Sequence, residues 1–294
     1  MGANVLERLK TGVLVRCGPI HTMLAQYGRD LAESQSLWSL EHPDVFQNVV
    51  KQYVDVGCDI ISGNYGDVNR LRMKRLGLEN KVFEYTVKLT KLTTAVVPSD
   101  RLVEAALGPI GGYLEPAGDI TVDELYETWS EVLRALLEAG RVDIIRVSMS
   151  EIDQVAIGIK IVREQCNLPV VCPGSFTPTK KGIRTQTGLD PKAVAQKLTE
   201  LGADIIGTQC GVISPKENTT VLQEMHQVSD KPLFVVPNAG KPELVDGKSV
   251  WPLTPEEMAE ETPKWVAAGA KIIGGCCGVT PQHMARVRAL IDKA

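Results

Sequence analysis

A chain of 294 residues with 23% charged residues and a net charge of −4 can build one large core or two modest ones. Mild acidity without a long basic run gives no electrostatic case for a nucleic-acid partner. No apolar stretch approaches the roughly 20 residues of a membrane-spanning helix, so no membrane association is expected. The opening "MGANVLERLK" has no apolar core of a signal peptide, and the expected compartment is the cytoplasm.

The first strand candidate is "VLVRC" (13–17). A second lies in "VGCDIISGN", which begins at 56, and a third is "LVEAAL" (102–107). The fourth follows "ELYETWSEVLRALLEAG", a helical pattern, in the phrase "AGRVDIIRVS" from 139. "PVVCPGS" (169–175) is the fifth. The helical "DPKAVAQKLTELG" leads into the sixth, "LGADIIGTQC" from 201; "PLFVVPN" (232–238) and "AGAKIIGGCC" from 268 complete the set. Four of these segments repeat one phrase, in which a glycine caps a helix and a short Ile-rich run follows. Such runs suit strands buried on both faces. Eight alternating βα units predict an α/β chain folded as a single-domain (β/α)8 TIM barrel over residues 1–294. The competing open, doubly wound sheet usually carries a Gly-rich phosphate turn after its first strand. "RCGPIHTML" has no such turn, and no linker divides the chain.

Barrel enzymes build their sites at the C-terminal ends of the strands. Cys210 ends the sixth strand candidate, and Cys276 and Cys277 end the eighth. Asn64, Pro109, Ser148, Ser175 and Asn238 hold comparable positions. Three thiolates from two strand ends can bind Zn²⁺ and leave one tetrahedral position open, the hallmark of a catalytic rather than a structural site. Adjacent side chains on a strand point to opposite faces. Cys276 and Cys277 can therefore share a metal only where the backbone leaves the strand, which Gly275 and Gly278 ease. Packing filler, a vicinal disulfide or one redox-active thiol are the other readings of the pair. Seven cysteines, an odd count, argue against a disulfide framework. Cys17, Cys58, Cys166 and Cys172 fall in or beside apolar runs and read as small buried hydrophobes.

"GGCCG", preceded by the G-x-x-C of "GTQC", resembles the zinc-dependent homocysteine S-methyltransferase family. That family includes betaine–homocysteine methyltransferases and the homocysteine module of cobalamin-dependent methionine synthase. "GCDIISGNYGDVNRLRM", "GPIGGYLEP" and "GSFTPTKKGIRTQTG" are similar to its second-, third- and fifth-strand segments, so the resemblance covers nearly the whole chain. It implies a (β/α)8 barrel, methyltransferase activity and Zn²⁺ held by Cys210, Cys276 and Cys277.

The chain departs from the family where homocysteine's ammonium group is recognised. Alignment on "TML" puts Cys17 in place of an acidic residue and His21 in place of a glycine. Ser148 and Met149 stand where a Glu-Thr pair closes the fourth strand, and Gln209 replaces an Asn. Losing a charged hydrogen bond costs roughly 1.5–3 kcal/mol, so two losses predict weak homocysteine binding. Glu151, Glu115 and Asp67 are the carboxylates that could compensate. The expected pocket comprises Cys17, His21, Asn64, Ser148, Ser175 and Asn238 around the metal.

The expected function is zinc-dependent methyl transfer between a small-molecule thiol or methoxylated substrate and a methyl carrier. No D-x-H-x-x-G motif occurs, so a corrinoid is expected on a separate partner protein, as in a demethylase system. The alternatives are an orthodox homocysteine S-methyltransferase making methionine, and a zinc hydrolase. Only four histidines, none at H-x-H or H-E-x-x-H spacing, count against the hydrolase. Zinc storage or a redox role is a further alternative. Arg16, His21 and Arg146 either face an anionic or aromatic substrate or, for the two arginines, pair with carboxylates. "TPTKKGIRTQTG" (177–188), with Lys180, Lys181 and Arg184, reads as a solvated loop or a docking surface for an acidic partner.

Overall fold

The eight apolar runs become eight parallel strands: β1 Leu14–Val15, β2 Ile60–Ser62, β3 Leu102–Leu107, β4 Ile144–Val147, β5 Val170–Gly174, β6 Ile205–Gln209, β7 Leu233–Val236 and β8 Ala270–Ile273. The structure is a computed structural model that describes residues 5–63, 66–148, 151–245 and 248–293. The strands pair in the order β1-β8-β7-β6-β5-β4-β3-β2. A bridge between Arg16 and Ile60, with the Cys17 N–H donating to the Ile60 carbonyl at 2.8 Å, joins the two ends into a barrel. The strand β1 is shorter than the run 13–17 suggests, because its regular pairing with β8 covers Leu14 and Val15 alone. Two antiparallel hairpins interrupt the alternation, Thr177–Thr179 with Gly182–Arg184 and Glu243–Val245 with Lys248–Val250. The basic segment after β5 is therefore a small ribbon, and its strand Thr177–Thr179 is exposed.

Successive residues on the strands serve two separate cores. Leu14, Ile60, Leu102, Ile144, Val171, Ile205, Phe234 and Ile272 pack together inside the barrel. Their neighbours Val15, Ile61, Val103, Ile145, Val170, Ile206, Val235 and Ile273 pack outward against the helices. The helix Val122–Ala139 shows how the outer layer is attached. Thr121 and Glu124 form a capping box at its start. Leu125, Trp129, Leu133 and Leu136 bury one stripe. The Trp129 indole donates to the Gly108 carbonyl at 3.0 Å, which anchors the loop after β3 at the barrel mouth. The glycines that open the four repeated phrases, Gly57, Gly140, Gly202 and Gly269, all have positive φ, as helix-capping residues require. Among the described residues, no helix is long and apolar enough to cross a membrane.

The repeated "D-I-I" has a structural purpose at the opposite end from the cysteines. Asp59 accepts the Val15 N–H at 2.9 Å, Asp143 the Val103 N–H at 2.8 Å, and Asp204 the Val170 N–H at 2.8 Å. Each carboxylate thus ties its own strand to the preceding one. Asp59 also pairs with Arg8, Arg101 and Arg288. Asp143→Ala leaves the buried Val103 N–H without a partner, so a loss of about 1–3 kcal/mol is expected. Urea unfolding with an unchanged m-value measures it; wild-type stability in the variant would remove the carboxylate's role.

Candidate metal centre and its pocket

The strand β6 ends at Gln209, and the next residue turns sharply. Cys210 has φ 55°, the one non-glycine residue with positive φ among the described residues. A left-handed conformation costs an L-residue roughly 1–2 kcal/mol, so the surroundings must hold it. The Cys210 N–H donates to the Val236 carbonyl at 3.0 Å, and the Asn238 amide donates to the Gly211 carbonyl at 2.8 Å. On the other side, β8 ends at Ile273, three residues before Cys276. The Cys276 N–H donates to the Pro237 carbonyl at 2.7 Å, and the Cys277 carbonyl accepts from Ala239 at 2.9 Å. The pair has left the strand, as Gly275 and Gly278 suggest. Gly278 has φ 80°, and a Cβ there would lie 2.2 Å from the Trp251 ring. No larger residue fits.

The three sulfurs meet. Cys210, Cys276 and Cys277 Sγ atoms all lie within 4.8 Å of one another. Cys210 and Cys276 are joined as a disulfide, while Cys277 Sγ is 4.0 Å from Cys276 Sγ. The chain therefore has one disulfide at the site itself, neither a framework nor a vicinal bond. A metal would use the same sulfurs, so it requires the reduced pair. Burial pushes the Cys277 thiol above its ordinary pKa.

A cavity of about 650 Å³ opens beside the cysteines. Below its floor, Glu104 from β3 sits between two arginines. Arg16 grips it with two bonds, Nε to Oε2 at 2.9 Å and Nη2 to Oε1 at 2.7 Å. Arg146 from β4 adds one, Nε to Oε1 at 2.9 Å, and gives Nη1 to Ser148 Oγ at 2.6 Å. Burial opposes the Glu104 charge, but the two guanidiniums outweigh it and hold the carboxyl down at about 2. Arg16 also lies over the Phe234 ring, 5.9 Å from its centroid.

The expected pocket residues divide. His21 and Ser148 line the cavity with the three cysteines. The His21 Nδ1 lies 2.8 Å from Arg29 Nη2. Burial and the Arg29 charge lower its pKa, so the neutral ring accepts at Nδ1 and carries its proton on Nε2. Cys17 lies elsewhere. Its side chain packs in the layer between strands and helices, fully buried, and its sulfur accepts from the Ser62 N–H at 3.1 Å. The residue of that segment that lines the cavity is Arg16. Ser175 lies in a neighbouring depression beside Tyr113 and the hairpin strand Thr177–Thr179. Asn238 steadies the Cys210 turn rather than lining the cavity. Asn64 and Met149 fall outside the described residues. Of the compensating carboxylates, Asp67 lines the cavity but accepts from the Ser34 and Ser36 hydroxyls. Glu115 and Glu151 do not line it. Sequence reasoning missed Glu104; the signal was a lone carboxylate inside the buried run "LVEAAL".

The pattern of the homocysteine S-methyltransferase family matches residues 14–291. The methionine synthases of Mycobacterium leprae and Mycobacterium tuberculosis are each 24% identical, over 99% and 98% of this chain. The chain spans about a quarter of the length of these curated relatives, 25% in each case. The metallated form of the homocysteine methyltransferase MmuM from Escherichia coli superposes with a TM-score of 0.78 at 22% identity, covering 97% of this chain and 98% of that one. That likeness is one of fold. With the family pattern running through nearly every barrel strand, the chain belongs to the homocysteine S-methyltransferase family, a family of methyltransferase enzymes.

Proposed function

We propose that this chain is a zinc-dependent methyltransferase in which Cys210, Cys276 and Cys277 hold the metal. The observation that carries the reading is the convergence of three sulfurs within 4.8 Å at the edge of an open cavity. Three soft donors with room for a fourth ligand fit zinc in a catalytic rather than a closed site. When bound, zinc acts as a Lewis acid and keeps a ligating substrate sulfur deprotonated at neutral pH. The chain's own residues do the rest. Cys277, whose thiol burial pushes up, would have to give up its proton to hold the metal, so metal affinity should rise with pH. His21 offers a neutral ring with an Nε2 proton. Gln209 and Ser148 border the space for the substrate.

The substrate in this proposal is a small thiol or a methoxylated compound, and the methyl carrier is a corrinoid on a separate protein. The altered residue at Ser148 supports a substrate other than homocysteine. Homocysteine itself is the second reading, favoured by the family and by the methionine synthase relatives. Membership of a methyltransferase family sets the hydrolase expectation aside. The proposal places the chain in the cytoplasm, where the cysteine pair stays reduced, with no nucleic-acid or membrane partner.

The test is methyl transfer by the reduced, zinc-loaded chain. Homocysteine, a thiol without an ammonium group and a methoxylated aromatic are each offered with a methylcorrinoid or its demethylated form. Turnover of the second or third compound, with homocysteine at least about tenfold poorer, is expected from the lost ammonium partner at Ser148. Efficient turnover of homocysteine alone establishes the second reading. No transfer with any of them defeats both.

A further inference from the structure

The barrel lumen holds two arginines and one carboxylate at the base of the cavity. Arg16, Glu104 and Arg146 are 4%, 1% and 9% exposed, so one positive charge is in excess in a largely dry site. The hydrogen bonds show which charge it is. Arg16 meets both Glu104 oxygens and gives its third nitrogen to the Cys17 carbonyl at 3.0 Å. Arg146 has one bond to Glu104 and one to a neutral hydroxyl, and its Nη2 has no partner among the described residues. Arg146 itself lines the cavity, together with Cys276 and Cys277. Burial lowers the Arg146 pKa despite Glu104, whereas Glu104 overcomes burial at Arg16 and raises it.

A buried guanidinium without an anion is costly. The cavity's own carboxylates do not answer it. Asp67 is bonded by the Ser34 and Ser36 hydroxyls, and the Glu33 carboxylate accepts from the Asp30 N–H at 3.1 Å. Among the described residues, Glu104 is the one carboxylate in an ion pair with either arginine. A second cation, Arg72, borders the cavity with no partner for its guanidinium among the described residues.

From the surplus charge and its open face, we infer that the substrate of this site carries a carboxylate, which pairs with Arg146 in the cavity while the reacting group faces the cysteines. The planar fork of arginine matches a carboxylate and holds it in one orientation. The inference rests on the methyltransferase reading for what the cysteines do, but the charge pairing is measurable without catalysis.

The experiment is calorimetry on the reduced chain, with and without zinc, against 3-mercaptopropionate and its neutral counterpart 3-mercaptopropan-1-ol. A preference for the carboxylate of about tenfold or more is expected, as for a charge-assisted hydrogen bond. Arg146→Met removes the surplus charge and leaves Arg16 paired with Glu104. It should melt no lower than wild type and lose the preference. Ser148→Glu brings an anion to Arg146 from the chain itself and should lose the preference too, an independent check should the first variant fold poorly. Equal binding of the two thiols, no detectable carboxylate binding, or a preference that survives in both variants overturns the inference. A methyl-transfer assay with the same two thiols separates the two claims. Equal methylation with equal binding sinks the carboxylate and leaves the methyltransferase. A carboxylate preference lost in Arg146→Met, without any methyl transfer, does the reverse.

Discussion

Changing Cys276 to alanine is expected to take bound zinc from about one per chain, the stoichiometry of a three-thiolate catalytic site, to near zero, and methyl transfer to background. Cys276 occupies the joint of the site. Its sulfur lies nearest both others, in contact with Cys210 and 4.0 Å from Cys277. Its N–H to Pro237 and its carbonyl to Val279 hold the turn that brings the pair off β8. Alanine keeps both backbone bonds and removes the donor alone. The fold should barely notice, since a small buried side chain is worth about 1 kcal/mol. Metal analysis after reduction and loading, beside a thermal melt, reads both quantities. Full zinc retention in a folded variant would remove Cys276 from the metal site. Loss of zinc together with collapse of the melt would instead make the metal structural.

Replacing Glu104 by glutamine should lower the protein's stability sharply at neutral pH. The change leaves Arg16 and Arg146 buried together with no anion between them. Breaking a buried ion pair from one side costs about 3–5 kcal/mol, a large part of the 5–15 kcal/mol that holds an ordinary domain together. The same carboxylate gives the wild type an acid limit. Its folded pKa of about 2 lies below the ordinary value of 4.5. Stability from this group is therefore complete above about pH 4.5 and is lost as the pH falls toward 2. Urea midpoints measured from pH 7 downward should fall in that window for the wild type. Glu104→Gln should start low and fall less steeply there. A variant with the wild-type midpoint at pH 7 would show that the arginines find other partners or water.

The barrel was legible because its strands are short, Ile-rich and preceded by helix-capping glycines, and the candidate metal centre because three cysteines mark two strand ends. What could not be read was which way a residue faces. A parallel strand buried on both sides reads as one apolar run and loses the alternation that distinguishes its faces. In "VLVRC" nothing local says whether Arg16 or Cys17 turns inward. The family alignment drew attention to Cys17, while the lumen holds Arg16. Glu104 escaped notice for the same reason, since its meaning depends on arginines 88 and 42 residues away in sequence. Asn238 and Ser175 show a second limit. A strand end locates a residue near the mouth, but the loop that follows decides whether it supports the backbone, as Asn238 does, or faces an adjacent hollow, as Ser175 does.

The aspartates at the base of the barrel bear on how it opens. They clamp β1 to β2, β3 to β4 and β5 to β6. The equivalent position before Ile272 is Lys271, so the last pair, β7 with β8, has no such clamp. β8 is also paired on its far side to a strand of only two residues. Of the four consecutive pairs β1–β2, β3–β4, β5–β6 and β7–β8, the one without an aspartate tie is therefore the one that leads to Cys276 and Cys277. In native-state hydrogen exchange, amides of β8 should exchange through local openings well short of global unfolding, while those of the clamped pairs wait for it. Cys276 and Cys277 would then follow a strand that no aspartate ties down, and anything that bridges them to Cys210 would fasten that strand as it binds.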